Sequence, residues 1–156
     1  AIARKLTQKL QEAGANVHML QTDTTYINLY DRSNYARRYD PDMFISIHCN
    51  SVTKGEGVRG VEAYYFTPFS QPLAALVTKR MASYYENYVY DDGKSRDRGA
   101  KYNYFAVTLE QEFPSILIEC GFITDYKEAM ALNSSSVQSG LADAIVRAIE
   151  DYFERY

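Results

Sequence analysis

Apolar positions along the chain switch repeatedly between a helical and a strand period. Ile2, Leu6 and Leu10, with Ala3 and Ala13, share one face, while Arg4, Lys5, Gln8, Lys9 and Glu12 lie elsewhere, which predicts a helix stopping at Gly14. Asn16–Leu20 reads as a short strand, and a polar stretch runs to Asn28. Leu29–Tyr39 reads as a short helix broken at Asp40–Pro41. Met43–His48 is apolar on both faces, as a strand covered from both sides is. A glycine-containing loop, Ser51–Gly60, leads to a strand at Val61–Phe66. Ser70–Gln71–Pro72 opens a helix carrying Leu73, Leu76, Val77, Met81, Tyr84 and Tyr88, with Pro tolerated in the first turn. Tyr90–Gly99 is a charged loop, expected to be the most exposed segment, and strands are predicted at Phe105–Val107 and Ser115–Ile118. Val137, Leu141, Ala144, Ile145, Ala148, Ile149, Tyr152 and Phe153 trace one face of a long final helix behind a serine-rich cap. Strands alternating with helices imply a single-domain α/β sandwich, with a mostly parallel or mixed central sheet flanked by helices.

Length agrees with one domain: 156 residues carry one core and are too few for two ordinary ones. With 46% hydrophobic and 24% charged residues the chain reads as globular. The net charge of −3 gives no general attraction to nucleic acid, so none is expected as a partner. No apolar run reaches the roughly 20 residues a transmembrane helix needs.

Two strands break the same rule in the same way. Phe44–Ile45–Ser46–Ile47 ends in His48, and Ile116–Leu117–Ile118 ends in Glu119. Each apolar strand delivers an ionisable group at its C-terminal end, where open α/β sheets bind ligands. A carboxylate there is costly to bury unless paired, metal-bound or partly wetted, and its pKa tends to rise, which suits a general acid or base. The competing reading is that both groups satisfy backbone at strand ends. Cys49 and Cys120 follow these residues and so point to the opposite face, where they are expected to be small buried hydrophobes rather than nucleophiles. His18 has no second ligand at helical spacing and is read as structural or surface-lying.

The segments Leu29–Ala36, Phe44–Ser51, Gly60–Tyr65, Asp97–Gly99 and Pro114–Thr124, with Glu128 and Leu132 behind them, resemble the zinc-dependent N-acetylmuramoyl-L-alanine amidases of the Amidase_3 type. The resemblance implies that His48 is a zinc ligand and Glu119 the catalytic glutamate. The implied reaction cleaves the amide between the lactyl group of N-acetylmuramic acid and L-alanine of the stem peptide. It implies one zinc ion, whose other ligands would be a histidine in a Gly-His-Gly-Gly-like turn and a glutamate upstream of Ala1. Residues 1–156 are then expected to be the amidase catalytic domain without its N-terminal strand and those ligands, as the uncapped helical start suggests. Gln21–Thr22–Asp23–Thr24 stands where the family often has Thr-Arg-x-x-Asp, and Arg37 replaces a common Asn.

Peptidoglycan or muropeptide is the implied partner and the cell envelope or exterior the implied location, with cell-wall-binding domains as implied neighbours. Asn50, Arg96 and Arg98 are candidate substrate contacts, and the Ser51–Arg59 and Tyr90–Gly99 loops are expected to rim the cleft. The alternative is a non-catalytic cell-wall-binding or regulatory relative that has lost the metal.

Overall fold

A computed structural model describes residues 1–22, 24–53 and 57–156. Helices α1 (Ile2–Glu12), α2 (Arg32–Ala36), α3 (Gln71–Tyr88), α4 (Tyr126–Asn133) and α5 (Ser135–Arg155) accompany strands β1 (Phe44–Asn50), β2 (Val61–Tyr65), β3 (Asp97–Tyr102) and β4 (Ser115–Phe122). The strands form one sheet in the order β1-β4-β2-β3. Its outer pairs, β1 with β4 and β2 with β3, are parallel, and the central pair, β4 with β2, is antiparallel. The expected α/β sandwich with a mixed sheet is the observed one.

One face of the sheet carries the core. Ile116, Ile118 and Cys120 of β4 and Val61 and Ala63 of β2 are fully buried against Leu73, Val77, Met81 and Tyr85 of α3 and Leu141, Ile145 and Ala148 of α5. Helix α1 closes this layer with Ile2 and Leu6 against α5. Each enclosed Val, Leu or Ile contributes about 1.5–3 kcal/mol. The helix ends follow the sequence signals. Gly14 adopts φ +92° beyond α1, and Asp125 caps α4 by accepting the Glu128 amide.

Several expectations need correction. Among the described residues Asn16–Leu20 is irregular and pairs with no strand, so it lacks the ladder that would make it one. Phe105–Val107 forms a turn, because the Thr108 hydroxyl donates to the carbonyls of Asn103 and Phe105 and closes the backbone locally. The loop expected at Tyr90–Gly99 ends early, since Val61 N–H donates to the Arg96 carbonyl and β3 begins at Asp97. Asp23 and residues 54–56 of the Ser51–Arg59 loop lie outside the described residues.

Candidate active site

The other face of the sheet is polar. Side chains alternate along a strand, so Ile45, Ile47 and Cys49 face one way and Ser46, His48 and Asn50 the other. In the β1–β4 register His48 stands opposite Glu119, and in the β4–β2 register Glu119 stands opposite Glu62. His48, Glu119 and Glu62 therefore form a row across three neighbouring strands, about 4.8 Å from one to the next.

At the centre of the row Glu119 is half-buried, and its Oε2 is enclosed with no hydrogen-bond partner among the described residues. Burial, helped by the negative charge of Glu62, pushes its pKa up to about 7. Beside it, the His48 pKa is held below the ordinary histidine range by burial and by the Arg32 guanidinium. The imidazole is thus neutral and keeps a lone pair, and Nε2 lies 2.8 Å from the Ser46 hydroxyl, which fixes the ring. On the far side Glu62 is 2% exposed and fully engaged. It accepts from Asn50 Nδ2 at 2.7 Å, Tyr64 OH at 2.6 Å, Arg98 Nε at 2.9 Å and the Lys101 ammonium. Burial alone would raise its pKa, but the bonds from Lys101, Tyr64 and Arg98 hold it below the usual carboxylate range.

Neighbouring groups hold the row in place. Glu128, wholly buried, accepts the amides of Phe122 at 2.7 Å and Gly60 at 3.0 Å, which joins the end of β4 to the start of β2. Gly60 sits at φ +109°, and a Cβ there would meet the Arg96 carbonyl oxygen at 2.5 Å, so only glycine fits. An enclosed carboxylate with no partner, beside a neutral imidazole, has the protonation states of an acid–base site rather than of a packed strand end.

The family match covers residues 1–151 and is described as N-acetylmuramoyl-L-alanine amidase (Amidase_3). The chain belongs to that amidase family. It is 33% identical over 99% of its length to the uncharacterized protein YqiI of Bacillus subtilis, covering 72% of that protein. It is 30% identical over 97% of its length to the N-acetylmuramoyl-L-alanine amidase LytC of the same organism, covering 30% of that longer protein. Among solved structures, an N-acetylmuramoyl-L-alanine amidase from Clostridium difficile 630 superposes with a TM-score of 0.87 at 35% identity, covering 99% of this chain and 81% of that one. The amidase AmiC2 of Nostoc punctiforme gives 0.86 at 28% identity, with 99% and 81% covered. The chain is thus a hydrolase domain of a family that acts on peptidoglycan, and the non-catalytic alternative is not favoured. Amidases of this family are metal-dependent and work at the cell wall. Among the described residues no three His, Cys, Asp or Glu side chains converge as a metal cage, and no helix is long and apolar enough to cross a membrane. His48 and Glu119 nevertheless fit a hydrolytic metal site, the first as a neutral nitrogen donor and the second as a carboxyl group left unbonded.

The candidate substrate contacts separate on inspection. Arg98 lies at the polar face beside Glu62. The Asn50 amide is engaged on both sides, donating to Glu62 and accepting from Ser51 N–H. Arg96 corrects the expectation of a free cation at the rim. It is buried, its guanidinium donates to Asp92 and to the carbonyls of Lys94 and Ser95, and it stacks on Tyr90 at 4.2 Å. Cys120 is buried as expected, whereas Cys49 is exposed. Both thiols have pKa values raised chiefly by burial, so neither is an activated nucleophile. Reading the sequence missed Glu62, Tyr64 and Lys101. The signal for Glu62 was present, since a carboxylate between Val61 and Ala63 breaks the same rule as Glu119.

Proposed function

We propose that in this amidase Glu119 is the catalytic carboxylate and His48 one of the ligands of a single zinc ion. The bond cleaved is the amide between the lactyl group of N-acetylmuramic acid and L-alanine of the stem peptide. The observation that carries this reading is the unpartnered Glu119 Oε2, enclosed and poised near neutrality beside a neutral His48. Zinc, when bound, supplies the Lewis-acid charge stabilisation that a poorly electrophilic amide requires.

This chain's residues do the rest. The Glu119 carboxylate takes a proton from the attacking water and returns it to the nitrogen of the departing L-alanine, a shuttle suited to a group with a pKa of about 7. Ser46 fixes the His48 ring, so the donor nitrogen is oriented before the metal arrives. Arg98 is available to a carboxylate of the stem peptide. In the amidase reading a second histidine and a glutamate complete the zinc ligand set. Residues 1–156 act as the catalytic part of an envelope or extracellular protein in which cell-wall-binding domains are natural neighbours.

The test is elemental analysis and muropeptide release with the full-length protein. We expect about one zinc per chain, release of stem peptides, and a Glu119→Ala variant that keeps the metal and releases nothing. Metal-free protein that cuts no muropeptide overturns the reading.

A further inference from the structure

The Glu62 cluster is more elaborate than support for a strand requires. Arg98 follows Asp97, the register partner of Val61, and so shares the face that carries Glu62. A β-bulge between β2 and β3 then passes the register from Val61–Asp97 to Ala63–Ala100 and brings Lys101, three residues on, to the same face. Lys101, the direct partner of Tyr64, reaches the same carboxylate oxygen as Arg98. Two cations thus share one buried anion, which leaves the cluster with net positive charge. Among the described residues no other carboxylate bonds either cation. Their side chains are 38% and 37% exposed, whereas that of Glu62 is only 3% exposed. Arg98 also lies over the Phe122 ring at 5.0 Å, which limits its freedom and leaves part of its donor fork to solvent. Tyr64 and Asn50 occupy the other Glu62 oxygen, so the carboxylate cannot swing away from its cations.

We infer that Arg98 and Lys101, oriented by Glu62, form a carboxylate receptor that selects stem peptides bearing a free α-carboxylate on the residue after L-alanine. This rests on the amidase reading of the same face. Distance favours that carboxylate over more remote ones. β3 lies two strand spacings from Glu119, about 10 Å. In an extended peptide the carboxyl carbon on the second α-carbon is about 6 Å from the L-alanine nitrogen, and the two cations lean toward Glu62 and so toward the reacting bond. A carboxylate there bonds two charged donors, whereas a carboxamide presents its own N–H groups to cations that have no acceptor to offer. Glu62 is a positioning residue in this scheme: it acts through the cations and touches no substrate.

The test uses two probes that differ at one group, the tripeptides L-alanyl-γ-D-glutamyl-L-lysine and L-alanyl-D-isoglutaminyl-L-lysine, and the two muramoyl tripeptides that contain them. Binding of the free tripeptides to the full-length protein is followed by NMR titration, and cleavage of the muramoyl forms by product release. The acid form should bind about tenfold more tightly and show a KM about tenfold lower, with kcat little changed. Lys101→Met, a change at a half-exposed side chain, should reduce that preference to about twofold, and Glu62→Gln should weaken it while Lys101 and Arg98 remain. Equal binding of the two tripeptides, or a preference that survives Lys101→Met, overturns the receptor even when both muramoyl substrates are cleaved. An acid preference in binding without cleavage of either substrate supports the receptor and removes the amidase reading instead.

Discussion

Glu119 and Glu62 are the same residue type, directly opposed on β4 and β2, yet the protein treats them in contrary ways. Glu62 receives four donors, two of them cationic, and its pKa falls despite burial. Glu119 keeps one enclosed oxygen unbonded, and its pKa rises to about 7. Burial is common to both, so the bonding partners decide the outcome. A carboxylate saturated with donors is a fixed anion, whereas one left short of them holds and releases a proton at neutral pH. The unbonded oxygen costs stability, and its retention in a well-packed sheet points to function.

The strongest test of this contrast replaces Glu119 with Gln. Hydrolysis should fall about 10²–10⁴-fold, while the melting temperature holds or rises, because no satisfied bond is lost. A large fall in melting temperature would show that Glu119 is structural. Glu62→Ala should do the reverse to the fold. It strands Arg98, Lys101, Tyr64 and Asn50, and we expect about 2–3 kcal/mol of lost stability by urea unfolding, moderated by the solvent access of the two cations. Glu128→Gln comes next, at about 1–2 kcal/mol, since one of the two oxygens that accept from Phe122 and Gly60 becomes an NH2 group, a donor that cannot accept a backbone N–H. The smallest effect concerns Asp125, whose pKa lies below the usual range through the Arg59 bond at 2.8 Å. A depressed pKa gives stability that is present above the unfolded-state value and is lost as pH falls. Asp125→Asn should therefore cost about 1 kcal/mol at neutral pH, and the gap to the parent protein should narrow as melts are taken below the ordinary aspartate range.

The parts of this contrast that could be read in the sequence were those written in one strand. His48 and Glu119 each end an apolar run, so one strand was enough to mark each of them. The long helices were equally plain, because α3 and α5 carry their periodicity over many turns. Glu62 sits in an apolar strand too, but its meaning depends on Arg98 and Lys101, supplied from more than thirty residues away and brought to one face by a bulge that no local pattern announces. The inward turn of Arg96 was hidden for a similar reason: a charged, glycine-containing loop reads as solvated until Tyr90 and Asp92 are seen to enclose the guanidinium. Asn16–Leu20 and Phe105–Val107 have strand-like composition, but strand structure is a property of pairs, and neither has a partner among the described residues.

The Glu128 bridge has a consequence for how the protein opens. Because one carboxylate holds both the Phe122 and Gly60 amides, the two halves of the polar row cannot fray independently. Local opening at either strand end would expose a desolvated carboxylate and an orphaned amide together, so the favoured route is to lose both at once. In deuterium exchange these two amides should label in step, at a rate set by unfolding of the whole sheet rather than by breathing of its edges.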